Sequence, residues 1–257
     1  MPTQMLWKFL ILVLNVRANT LSGDGSRSAL LPLLTRSDKA WTDVSPGESY
    51  STAGFGGSTD PVGSGDAYVG NVGRPYGSNI MEVAASDANR FQYIVKFVGP
   101  SAGGWRVAIW NKVGPGGKLD GWYGNACCQF TLAADEAKYI AFATNSQGGW
   151  VATNTTSIPT NQLGSYAGTW GEFDFGNTAH NGWSGFDVSA IQAQNAQLEV
   201  QGMRICSMLH DDLCSYITWR AVIVHNAYTS SKADVGGIGG NLPAGPVRLT
   251  ASIGYDE

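Results

Sequence analysis

The sequence is short of charge: Asp, Glu, Lys and Arg make up 14% of its 257 residues, against about 25% in ordinary globular chains. The formal net charge is only −4, and no basic cluster is longer than two residues. Nucleic-acid binding needs Lys and Arg to neutralise phosphates, so that class is set aside. Long apolar runs are missing too. Nothing approaches about 18 consecutive apolar residues, the length that reads as a membrane span. Four cysteines are too few for a disulfide-stapled mini-protein and show no zinc spacing. The three histidines, His180, His210 and His225, stand far apart in the chain. Neither a metal site nor a cofactor site is read from such a set. Long amphipathic helices and repeats of about 20–50 residues are also absent, which disfavours bundles and solenoids.

What is present suits short strands and many turns. Gly accounts for 34 residues and Trp, Tyr and Phe for 11% of the chain, with 43% apolar overall. Glycine supplies positive φ in turns, and aromatic side chains fill a thin core. Arg90 to Val98 alternates Phe91, Tyr93, Val95 and Phe97; Trp105 to Trp110 alternates Trp105, Val107 and Ile109. Val247 to Ile253 repeats the pattern with Val247, Leu249, Ala251 and Ile253. Further strands are expected at 129–132, 138–143, 169–175, 186–191 and 198–205, and helical turns near 86–89 and 211–216. Period-two segments punctuated by turns predict an all-β fold, an antiparallel β-sandwich.

The amino terminus reads as an export signal. Leu6 to Val16 is largely apolar, interrupted by Lys8 and Asn15, and Val16-Arg17-Ala18 offers a cleavage site after Ala18. Residues 19–46 read as a poorly ordered tether, with one β-rich domain over 47–257. Cys206 and Cys214 flank a polar stretch that can loop back, which predicts a disulfide between them. Adjacent Cys127 and Cys128 read as small buried hydrophobes. Asn154-Thr155-Thr156 is an N-glycosylation acceptor, which after an export signal implies a surface loop. The run Gly236-Gly237-Ile238-Gly239-Gly240 reads as a turn or linker, because the strand–helix frame and lysine of a phosphate loop are missing.

The chemistry concentrates in Trp170 to Phe175. As a strand it turns Phe173 and Phe175 to the core and Trp170, Glu172 and Asp174 to the other face. One reading is a half-buried strand with a solvated polar face. The other is sugar recognition, in which an aromatic face stacks on a pyranose and carboxylates accept hydroxyl hydrogen bonds or move protons. Glycoside hydrolysis needs two carboxyl groups at a set separation, one with a raised pKa. Glu172 with Asp174 or Asp187 is the candidate catalytic set, and Trp170, Trp183, Trp122 and Tyr123 are the candidate ligand-binding aromatics.

From about Gly47 onward the chain resembles a family of secreted fungal proteins named for the Aspergillus allergen Asp f 4. The residues carrying the resemblance include Gly70-Asn71-Val72-Gly73-Arg74-Pro75-Tyr76-Gly77-Ser78-Asn79-Ile80, Trp110-Asn111-Lys112 and Gly121-Trp122-Tyr123-Gly124-Asn125. Thr169-Trp170-Gly171-Glu172-Phe173-Asp174-Phe175, Gly182-Trp183-Ser184-Gly185 and Asp187 to Ala193 continue it. The resemblance implies a fungal, extracellular or wall-associated protein that binds IgE; it supplies no mechanism. The family pattern has cysteines where this chain has Ser51 and Gly168, which suggests loss of one disulfide as a unit. A shorter resemblance, Glu172 to Phe175 followed by Phe186 to Ser189, is to the acidic cleft of thaumatin-like proteins, β-sandwiches that bind or cut β-glucans. The expectation is a non-enzymatic surface protein in contact with cell-wall polysaccharide. The rivals are a β-glucan-active hydrolase and a secreted effector that binds a host protein.

Overall fold

The computed structural model describes residues 40–44 and 49–256. In chain order the strands are β1 (Ile80–Val83), β2 (Tyr93–Val98), β3 (Trp105–Asn111), β4 (Cys128–Leu132), β5 (Ala137–Phe142), β6 (Ser146–Thr153) and β7 (Trp170–Asn177). They continue as β8 (Trp183–Ser189), β9 (Met203–Ser207), β10 (Cys214–Ile217), β11 (Val224–His225), β12 (Gly240–Leu242) and β13 (Val247–Ile253). A five-residue helix, α1 (Ile191–Asn195), and several 3-10 turns separate them. One sheet has the order β1-β5-β2-β13-β9-β10-β11, the other β12-β8-β7-β6-β3-β4. The pairing of β13 with β2 is parallel, and the remaining strand pairs are antiparallel. The architecture is the expected all-β sandwich.

Alternation decides what lies between the sheets. Tyr93, Val95 and Phe97 of β2 meet Val107 and Ile109 of β3, Phe173 and Phe175 of β7, and the odd-numbered residues of β13 in one core. Aromatic rings fill its centre: Phe142 and Phe173 lie 4.7 Å apart, and Phe97 is edge-on to Trp150 at 5.1 Å. Both outer faces are also covered. Trp110, Trp122, Tyr166 and Trp170 cluster outside the six-stranded sheet. Phe91, Ile94 and Ala141, with Trp41, Phe55 and Tyr139 against them, cover the seven-stranded one.

Several sequence expectations change. The helical turn expected near 211–216 is instead partly β10, whose Cys214 lies opposite Cys206 and is bonded to it, with Cα atoms 4.1 Å apart. The strand expected from Leu198 starts only at Met203, and the one expected over 186–191 starts at Trp183 and gives way to α1. Strand β6 was not foreseen, because Gly148-Gly149 interrupts its pattern. The signal segment and most of the tether lie outside the described residues. Trp41, however, belongs to the packed structure: its carbonyl accepts from Arg248 Nε at 2.8 Å, and its ring is edge-on to Tyr139 at 5.6 Å. The cause is Arg248, whose buried guanidinium must find acceptors inside the protein.

Candidate acid site

Strand β7 presents Glu172 on the sheet face opposite the inter-sheet core, as its alternation requires. Across the sheet Glu172 is registered with Asp187 of β8 on one side and Gly149 of β6 on the other. Directly opposed residues place their Cβ atoms about 4.5–5.5 Å apart, so two carboxylates stand side by side. Gly149 brings no side chain to the other flank of Glu172, where the Trp110 ring takes the space: a Cβ there would stand 3.0 Å from it. Asp174 occupies the next row, between Gln147 and Gly185.

The three carboxylates differ in surroundings. Asp187 is 2% exposed, and its Oδ1 has no hydrogen-bond partner among the described residues. Glu172 keeps partial solvent access although protein atoms crowd it. Asp174 is buried but held by amides: Gln147 Nε2 donates to Oδ1 at 3.2 Å and Asn177 Nδ2 to Oδ2 at 2.6 Å. Burial pushes Glu172 up to about 7. It raises Asp187 well above the carboxylate range, with the Glu172 charge adding to the effect. Burial also lifts Asp174, to about 6, against the pull of Asn177, Gln147, His180 and Lys112. The Glu172–Asp187 pair thus keeps a proton at neutral pH, because two charges so close in a dry setting resist joint ionisation.

The rim is polar. Lys112 donates from Nζ to the carbonyls of Asp66 and Tyr68 at 2.7 and 3.1 Å, which ties the 62–69 loop beside Asp174. Gln147 Oε1 and His180 Nδ1 are buried without partners among the described residues. Among those residues no group of three or more His, Cys, Asp or Glu side chains is arranged to hold a metal ion. A separate groove of about 470 Å³ runs along the β3–β4 edge, lined by Arg106, Gln129, Thr131, Thr156, Ser157 and Tyr166. None of its lining residues carries a carboxylate.

A profile of the Allergen Asp f 4-like domain matches residues 78–253. Over 217 residues the chain is 49% identical to Allergen Asp f 4 of Aspergillus fumigatus, covering 84% of this chain and 67% of that relative. The chain belongs to the Asp f 4-like allergen family. The matched span contains all thirteen strands and the three carboxylates.

Two of the sequence blocks shared with the Asp f 4-like family prove to be structural. Asn79 Nδ2 donates to Asn71 O, Asn111 Oδ1 and Ser146 Oγ at 3.0, 2.8 and 2.9 Å, and Asn111 Nδ2 returns a bond to Asn79 Oδ1 at 2.9 Å. This buried network fastens the 70–79 loop to the ends of β3 and β6. The stacking role expected of Trp170 and Trp122 needs correction, since they are 0% and 6% exposed. Loop residue Tyr166 covers them, taking the Trp170 Nε1 hydrogen on its carbonyl at 3.1 Å. Trp183 is half-buried and Tyr123 is exposed, so these two can still meet a ligand. Asn154 is exposed after β6. Cys127 and Cys128 are free and pack on the core, and burial pushes their thiols to about 12 and about 11. At Gly168 the side chain of Val151 takes the space a Cβ would need. Sequence reasoning missed Gln147, Lys112 and Tyr228, which border the acid residues through registers and loops that no local pattern announces.

Proposed function

We propose that this chain is an extracellular carbohydrate-active protein whose Glu172–Asp187 pair cleaves glycosidic bonds. The observation that carries the reading is the register of β7 with β8, which puts two carboxyl groups side by side on one face. Burial then keeps a proton on the pair at neutral pH. Two carboxyl groups on one face are what double displacement by a retaining glycosidase uses. Glu172, the solvent-accessible member, bonds to the anomeric carbon while Asp187 protonates the departing oxygen. Asp187 then takes a proton from the water that displaces Glu172, and both residues are restored. Asp174, locked by two amides, supports the field of the site and does not turn over. The burial of Trp170 and Trp122 leaves only Trp183 and Tyr123 of the aromatics on which a purely binding reading depended.

The substrate class, β-1,3-glucan, comes from the thaumatin-like resemblance and an extracellular fungal setting. The Cys206–Cys214 bond supports that setting, because such bonds persist in oxidising compartments. The exposed Asn154 acceptor supports it as well. IgE binding is proposed from family membership alone. The test is incubation of wild-type protein with linear and branched β-1,3-glucans over pH 4–8. Reducing ends that retain anomeric configuration should appear, and Glu172→Gln should abolish them while the protein stays folded. Well-folded wild-type protein that releases nothing, yet is retained on insoluble glucan, would return the protein to a binding role.

A further inference from the structure

We infer that Tyr228 is a positioning residue of the acid site, donating its phenol hydrogen to a ligand hydroxyl that in turn donates to Asp187. The inference rests on the glycoside reading above. Its geometry begins at Asn226, which adopts φ 47° after β11 and so turns the chain back toward β8. The Asn226 side chain grips Gly239 from two sides: Gly239 N donates to Oδ1 and Nδ2 donates to Gly239 O, both at 2.9 Å. Two residues on, the Tyr228 backbone is zipped to β8. Its N–H donates to Val188 O at 2.8 Å, its carbonyl accepts from Ala190 N at 2.9 Å, and it bridges Ser189 in parallel. Ser189 shares a strand face with Asp187, so Tyr228 borders the acid face.

The phenol oxygen completes the wall. It accepts the Ile238 N–H at 3.2 Å. Ile238 precedes Gly239, which lies so tightly on β8 that a Cβ there would stand 2.7 Å from Asp187 Cβ and overlap the Phe186 carbonyl. Gly239 is therefore packed against Asp187, and glycine is required there both for this contact and for φ 114°. A phenol oxygen that accepts from the backbone still has its own hydrogen to give. That hydrogen and Asp187 Oδ1 are both uncommitted among the described residues. A hydroxyl, which accepts one hydrogen bond and gives another, satisfies both. Burial, then the charges of Asp187 and Glu172, push the phenol up to about 12, so it remains a donor at every working pH.

The competing role for Tyr228 is a post that merely props the glycine-rich run. Tyr228→Phe separates the two, since it keeps the ring and removes the hydroxyl. The other charged groups of the neighbourhood, Asp174, Lys112 and His180, stay in place. The readout is the titration of the Glu172 and Asp187 carboxyl carbons by NMR in ligand-free protein, where solvent water takes the hydroxyl's place. Loss of a donor that favours the charged form should move the midpoint of the pair upward. Replacing Tyr228 by 3-fluorotyrosine, a stronger donor, should move it downward. With a β-1,3-glucan oligosaccharide, kcat/KM of the Phe variant should fall about 10–100-fold, the scale of one hydrogen bond to a charged site. Titrations unmoved in both folded variants would overturn the assignment. Shifted titrations in the two variants, beside a wild-type protein that cleaves no glucan, would uphold Tyr228 and overturn the glycoside reading.

Discussion

Arg248 is 0% exposed, and among the described residues no carboxylate is hydrogen-bonded to it. Its guanidinium donates to the carbonyls of Trp41, Gln92 and Val247 at 2.8 Å each and to Asn89 at 3.4 Å. Burial lowers its pKa to about 10, which still leaves it charged at physiological pH. One side chain thus joins the 40–44 segment, the end of the 3-10 turn before β2 and the start of β13. Arg248→Met keeps the apolar stem and strands the carbonyls, so stability should fall by at least about 3 kcal/mol. Denaturant unfolding measures that loss, and proteolysis should cut first near Trp41. A variant as stable as wild type would show that water replaces the guanidinium at no cost. Gly171 acts at the same scale in the opposite sense. A Cβ there would overlap the Trp150 indole, so the glycine of Trp170-Gly171-Glu172 makes room for the core.

Among the elements, the β9–β10 hairpin is fixed twice, by its ladder and by the Cys206–Cys214 bond across directly opposed residues. Closing so short a loop stabilises by roughly 2–3 kcal/mol on the chain-entropy model. The Cys206→Ser, Cys214→Ser double variant should therefore unfold about 5–10 °C lower, which calorimetry tests. This bond was legible because only a polar stretch separates the cysteines. Strands β2, β3 and β13 were legible because their buried sets alternate cleanly. Strand β6 was not: Gly148 and Gly149 erase its periodicity, and the space of their missing side chains is taken by neighbours that include Phe173 and Trp110. The face of Glu172 was readable from Phe173 and Phe175, whereas its partner was not. Register between β7 and β8 passes through an irregularity between Asp174 and Asn177, which local sequence does not encode. The burial of Trp170 was equally hidden, because its cover comes from Trp122, distant in sequence, and from Tyr166 of the preceding loop.

For the molecule as a whole, three carboxylates on one face, two buried and one crowded by protein, make folding depend on pH in an unusual direction. Glu172, Asp174 and Asp187 all have folded pKa values above their ordinary ones, to about 7, about 6 and well raised respectively. The folded state therefore binds more protons than the unfolded chain between the two sets of values, and stability falls as pH rises. Their contribution is fully present below the ordinary carboxylate range, near pH 4. It is lost as pH climbs through about 6 for Asp174 and about 7 for Glu172. The other shifted groups act elsewhere: the thiols of Cys127 and Cys128 lie at about 12 and about 11, and Arg248 at about 10. Between pH 5 and pH 8 the carboxylates decide the slope. A loss on the order of 4 kcal/mol is expected across that interval from Glu172 and Asp174, which lowers the thermal midpoint by about 8–16 °C. Glu172→Gln and Asp187→Asn each remove one ionisation the fold resists, so each variant should flatten the curve and be more stable than wild type at pH 8. Calorimetry at constant ionic strength is the check. A midpoint that rises from pH 5 to pH 8 would mean that the carboxylates meet water or cations in solution, and that the acid pair keeps no proton for catalysis.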